Sequence, residues 1–133
     1  MLKPDFIKYS LALVQGDKII YSSDGLGLKP LWDCLEKYRQ SKDKFILFDK
    51  VIGLAAARLV VYSGIITAIH TRLISQPAKQ LLQENKIKIE ADEVVVNILR
   101  KDKSAVCPGE IIALSTDDQD TFLAKIAAMT SGS

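Results

Sequence analysis

Apolar and polar positions change period several times along this chain, and each change marks an element. Tyr9 to Val14 reads as a strand, Gln15-Gly16-Asp17 as a tight turn, and Lys18 to Ser22 as the antiparallel partner. Gly25 and Gly27 then break the alternation, and Pro30 opens a helix carrying Leu31, Cys34, Leu35 and Tyr38 at helical spacing. After the polar connector Ser41-Lys42-Asp43-Lys44, Phe45 to Phe48 is a short unbroken apolar run, the pattern of a strand buried on both faces. The stretch from about Val51 to Tyr62 is apolar nearly all round, which predicts a central helix packed on several sides; Ser63-Gly64 ends it.

Ile65 to Leu73 is strand-like and rich in β-branched residues. Ser75 then suits an N-cap and Pro77 the first turn of a helix running to about Glu84. Asn85-Lys86 stops it, and Ile87 to Ile89 reads as a short strand. Val94 to Leu99 is ambiguous and is read as a short helix. Lys101 to Ser104 is a charged loop, Cys107-Pro108-Gly109-Glu110 opens another segment, and Asp117 or Asp118 caps a last helix carrying Phe122, Leu123, Ile126 and Ala127.

Strands alternating with helices predict a single α/β domain over residues 1–133, with no internal repeat or long linker. Its form is a three-layer sandwich: a mixed sheet, parallel in the middle, an antiparallel N-terminal hairpin at one edge, and helices on both faces. Ligands in such sheets sit beyond the carboxyl ends of the strands, beside helix N-termini. That places Asp49, Lys50 and Ser75 near one another.

Composition narrows the function more than the fold. A net charge of +2, with both signs mixed along the chain, lacks the basic excess of a nucleic-acid binder. The apolar zone from Phe45 to Ile69 is interrupted by Asp49, Lys50 and Arg58, so neither a membrane span nor a membrane partner is expected. Two isolated cysteines, Cys34 and Cys107, form no disulfide framework, which points to a reducing cytoplasm.

Four places carry candidate chemistry. Asp49-Lys50 is a polar pair at a strand end: Lys50 would meet an anion and Asp49 a hydroxyl or amine, or Asp49 would simply cap a helix. Gly53 and the alanines after it let a ligand, or a packed neighbour, approach closely. Ser23 to Pro30, with Lys29 at its end, is either a phosphate cradle or an ordinary connector. Cys107 at a helix start would be a pocket residue, a nucleophile or a cap, with Glu110 reaching back to a backbone N–H. His70 is a lone histidine in a strand and reads as structural.

Taken in order, Ser23-Asp24-Gly25-Leu26-Gly27-Leu28-Lys29-Pro30-Leu31, Phe48-Asp49-Lys50-Val51-Ile52-Gly53-Leu54-Ala55-Ala56-Ala57, Ile74-Ser75 and Cys107-Pro108-Gly109-Glu110 resemble a small prokaryotic family of unassigned function with a cytidine-deaminase-like fold. The resemblance covers about Tyr9 to Leu114. True deaminases place a His or Cys ligand and then a Glu at the start of the central helix, and a Pro-Cys-x-x-Cys run opens the next. Set against that pattern, Val51 takes the ligand position, Gly53 the glutamate position, and Ala78 and Leu81 the cysteine positions after Pro77. None of these can hold zinc, so hydrolytic deamination by that route is not expected, and no metal or other cofactor is called for.

Three functions remain. The first is binding of a nucleotide or small phosphorylated metabolite in the pocket where a deaminase keeps its zinc, lined by Asp49, Lys50, Gly53, Ser75, Cys107 and Glu110, with Ser23 and Lys29 beside it and helix N-termini meeting the phosphate. The second is an enzyme of unknown class using Cys107 or Asp49; no catalytic residue is assigned. The third is a scaffold or partner-binding subunit. The resemblance also implies a homo-oligomer.

Overall fold

The structure, a computed structural model, describes residues 5–96 and 108–131. The N-terminal hairpin forms as the pattern predicts. β1 (Leu11–Gln15) and β2 (Lys18–Ser23) are antiparallel, and the turn between them uses Gly16 at φ +60. α1 (Lys29–Tyr38) carries Pro30 in its first turn and buries Leu31, Cys34 and Leu35. β3 (Phe45–Asp49) lies between β1, to which it is antiparallel, and β5 (Ile66–Ser75), to which it is parallel.

β4 (Val51–Ile52) is a departure from the helix predicted to start at Val51. Its pairs with β5, Val51↔Leu73 and Ile52↔Ile74, keep the register of Leu47↔Ile69 and Phe48↔His70. β3 and β4 are therefore one strand interrupted at Lys50. There the burial alternation resets: Ile52 is buried and Val51 is exposed. Two β-branched residues favour this extension. Gly53 follows in extended conformation as the N-cap, so α2 (Leu54–Ser63) starts three residues later than the pattern predicts and ends at Gly64, φ +68.

α3 (Gln76–Glu84) begins as expected: the Ser75 hydroxyl accepts the Ala78 N–H at 3.3 Å. β6 (Lys88–Val95) is much longer than Ile87–Ile89. Val94 and Val95 continue this strand rather than start a helix, because ten-residue β5 offers partners as far as Ser75↔Val95. Val96 is an exposed bend after the strand, and residues 97–99 and the Lys101–Ser104 loop lie outside the described residues. α4 (Pro108–Ser115) and α5 (Gln119–Ser131) complete the chain. Asp118 caps α5, accepting the Thr121 N–H and hydroxyl at 2.8 and 2.7 Å, and these bonds hold its carboxyl below the usual range.

The sheet runs β2-β1-β3-β5-β6, with β4 extending β3; β5 is parallel to β3 and β6, and the hairpin supplies the antiparallel edge. Helices expected on both faces gather, among the described residues, on one. Buried residues of all five helices share a core with Leu11, Leu13, Phe45, Leu47 and Ile69. The opposite face carries a separate small cluster, Ala12, Val14 and Phe48, with Phe6, Ile19 and Ile46 against it. The reason is handedness. The crossovers through α1, α2 and α3 join β2 to β3, β3 to β5 and β5 to β6, all stepping the same way across the sheet. Parallel crossovers are right-handed, so all three helices land on the same side.

α2 is thereby enclosed by the sheet, α1, α3 and the α4–α5 pair. Its Arg58 is buried and ties it to the end of α4: Nη1 donates to the carbonyls of Ala113 (3.0 Å) and Thr116, and Nη2 to that of Asp117 (3.2 Å). The guanidinium lies 3.9 Å over the Phe122 ring of α5, and Nε bonds the Tyr62 hydroxyl at 3.0 Å. A cation at a helix C-terminus satisfies carbonyls left without partners and opposes the negative end of the helix dipole.

Candidate functional site

The carboxyl end of β3 holds most of the predicted site. Ser23, Leu11 and Asp49 occupy one row across β2, β1 and β3. Ser23 turns its hydroxyl to the Gly25 N–H at 3.0 Å, fixing the start of the loop. Asp49 continues the inward-facing set of Phe45 and Leu47 and is half-buried. Loss of water pushes its carboxyl up to about 8, and the Val51 and Lys50 amides draw it down only in part. Cys34 of α1 is buried nearby, and burial first, then the charge of Asp49, push its thiol up to about 12. It is a core residue, as its place on the helix predicts, and a poor nucleophile.

Lys50 sits at the break between β3 and β4 with its side chain exposed. Its backbone is held from both sides: its N–H donates to Ser10 at 2.9 Å, and its carbonyl accepts the Leu73 N–H and the Thr71 hydroxyl, each at 3.2 Å.

Glu110 decides what the start of α2 can do. It is buried, and its carboxylate accepts the Leu54 and Ala55 N–H groups at 2.8 and 2.9 Å. These are donors that a helix N-terminus leaves without partners. The expected reach of Glu110 back to its own helix is thus replaced by a cap delivered to another helix, 56 residues away for Leu54. Gly53 makes this possible: a Cβ there would lie 2.3 Å from Oε1 and 2.5 Å from Cδ of Glu110. The close approach predicted at Gly53 is made by this side chain. Gly109 packs in the same region, with room for a Cβ at 3.7 Å from Ala55 and 3.8 Å from Leu28.

Several candidates serve elsewhere. Ser75 is fully buried and committed to capping α3. Lys29 pairs with Asp33 at 3.1 Å on the surface of α1. At α2 the donors expected to meet a phosphate are instead taken by Glu110, and at α3 Ser75 takes the Ala78 N–H. Cys107 lies outside the described residues. At the positions that deaminases use for zinc, Val51 is in β4, Ala78 is fully buried in α3 and Leu81 is partly buried. Among the described residues no three His, Cys, Asp or Glu side chains converge on a point where a metal could sit, and no helix is long and apolar enough to cross a membrane.

Residues 6–129 match the family described as TM1506, a domain of unknown function (DUF1893). The chain belongs to the DUF1893 family. The crystal structure of the DUF1893 family protein TM1506 from Thermotoga maritima is similar, with 28% identity and a TM-score of 0.77 over 93% of this chain and 84% of that one. No curated protein matches.

Sequence reasoning passed over one residue of this DUF1893 domain. His70, read as structural, lies on the face of the sheet away from the helices and stacks on Phe48, ring centroids 4.5 Å apart and planes 12° apart. Its Nδ1 is 2.6 Å from Oε2 of Glu90, its register partner on β6. The pair borders a groove of about 690 Å³. The alternation of β5 and β6 shows which way each residue points, but nothing local to either strand sets the register that joins them.

Two outcomes follow from the site. Gly53→Ala displaces the Glu110 carboxylate and costs about 1–3 kcal/mol, the scale of unpartnered buried donors. Glu110→Ala removes the same contact, so in denaturant titrations the double variant loses clearly less than the sum of the two single losses; strict additivity contradicts the contact. Asp49 gives the second. Between 3.8, its ordinary value, and about 8 it is neutral when folded and ionised when unfolded. Its stabilising contribution is complete below the lower value and is lost as pH rises through the upper one. Asp49→Asn should therefore gain stability relative to wild type between pH 4 and 8; an unchanged difference across that range contradicts the raised pKa.

Proposed function

We propose that this DUF1893 domain binds a nucleotide or a small phosphorylated metabolite at the carboxyl end of β3, without a metal. The observation that carries the reading is the end of β3, where Asp49 faces inward and half-buried, its carboxyl pushed up to about 8 by loss of water, and the next residue, Lys50, is exposed. Strongly shifted groups concentrate at functional sites. An ionised aspartate would repel a phosphate and cancel the lysine; a neutral one does neither. It can donate to a ring nitrogen or carbonyl of the ligand while Lys50 meets the phosphate. Glu110 does not oppose this strongly, because its charge is absorbed by two amide N–H groups and the positive end of α2. The Ser23–Pro30 loop would border the ligand.

The same reading takes the scaffold as a deaminase-like fold put to non-hydrolytic use. The strand order, with β3, β5 and β6 parallel, is in keeping with it. The carboxylate that such enzymes carry at position 53 is supplied here by Glu110, against a glycine. Val51, Ala78 and Leu81 offer no atom that binds zinc, so no step is assigned to a metal. A free, buried Cys34 is in keeping with a reducing cytoplasm.

Thermal shift at pH 7 against nucleoside monophosphates and sugar phosphates tests the reading. A ligand at a hundred times its dissociation constant adds about 2.7 kcal/mol of stability. Lys50→Ala should remove most of that gain, and Asp49→Ala should weaken it more than Asp49→Asn. A panel that leaves wild type unmoved, or a Lys50→Ala protein stabilised as strongly as wild type, overturns it.

A further inference from the structure

The groove on the helix-free face of the sheet belongs to neither the core nor the Asp49 edge. Its apolar floor is formed by Ile46 and Ala68, and its polar border is His70 with Glu90, Lys86 and Lys88; Ile69 and Ile89 also line it, but their side chains pack in the core on the helix side. At about 690 Å³ it falls within the size range of small-molecule sites.

The polar groups are specifically disposed. Glu90 engages Nδ1 of His70 at 2.6 Å, which leaves Nε2 as the ring nitrogen open to a ligand. Stacking on Phe48 fixes the plane of the ring. Among the described residues nothing bonds Nε2, and neither lysine ammonium has a hydrogen-bonding or ion-pair partner. Lys86 also stands at φ +60, a left-handed position that glycine or asparagine would fill with less strain. Two uncommitted cations therefore flank an oriented imidazole above an apolar floor.

We propose that this groove is a binding site for a small organic anion: an apolar, planar body bearing one phosphate or carboxylate and a hydroxyl or N–H. The body lies over Ile46 and Ala68, the anion meets Lys86 and Lys88, and His70 Nε2 hydrogen-bonds a polar group of the ligand. Glu90 is a positioning residue that orients the His70 ring. The site is distinct from Asp49, which faces the helix side of the sheet.

The chain has one histidine, so imidazole resonances in a ¹H–¹⁵N spectrum report on His70 alone. The probes are adenosine monophosphate and indole-3-acetate, which carry a phosphate and a carboxylate on planar bodies, with adenosine and inorganic phosphate as controls. At least one planar anion should shift the His70 signals saturably, with the controls far weaker, and the preferred probe separates phosphate from carboxylate. Lys88→Ala, a change at an exposed strand position, should weaken that binding roughly tenfold, the scale of one charge-assisted hydrogen bond. Lys86→Gly suits the local backbone, so it should preserve thermal stability and still weaken binding. Lys50→Ala should bind as wild type does. Silent His70 signals with both anions, lysine variants that bind as wild type does, or inorganic phosphate alone reproducing the full effect would each overturn the proposal.

Discussion

The carboxylate of Glu110 on the first amides of α2 is the contact on which the rest of the arrangement turns. It satisfies two donors that the start of a buried helix would otherwise leave unpaired, each worth about 1–3 kcal/mol when orphaned. Arg58 then fastens the other end of α4 back onto α2, so the two helices hold each other by opposite charges placed at complementary helix ends. The Glu110 clamp would not form with an ordinary residue at position 53, because the first side-chain atom would occupy the space of the carboxylate.

That contact also sets the chemistry available at the sheet edge. An open α2 N-terminus would be a ready-made anion site. With Glu110 seated there, two of those donors are taken, and the proposed site relies instead on the exposed Lys50 at the break between β3 and β4. Loss of water raises the neighbouring Asp49 carboxyl, which limits its negative charge. Handedness shapes the other half of the molecule. Three crossovers stepping one way place α1, α2 and α3 on one face, and the opposite face, which no described helix covers, carries the groove at His70.

Much of this was legible along the chain. Gly16, Pro30, Gly64, Ser75 and Asp118 act where local rules place them, because a turn, a first helical turn or a cap involves only near neighbours. Cys34 was read correctly as core from its helical spacing. Val51-Ile52 misled because an apolar run before a helix looks the same whether it is coiled or extended; pairing with Leu73 and Ile74 decides it. Val94 and Val95 misled for the same reason, their state being set by the length of β5. The site was legible in part. Asp49, Lys50, Gly53 and Glu110 were singled out, but the partnership of Gly53 with Glu110 spans more than fifty residues and has no local signature. The His70–Glu90 pair depends on strand register, which alternation leaves open by any even step.

The central claim, that Glu110 supplies the cap of α2, is tested most directly by amide hydrogen exchange at Leu54 and Ala55. First-turn amides normally exchange fast, since no carbonyl of their own helix precedes them. In wild type these two should be protected like the interior of α2, and in Glu110→Ala their protection should collapse while that of β3 and β5 persists. Fast exchange at Leu54 and Ala55 in wild type, or unchanged protection in the variant, would contradict the account.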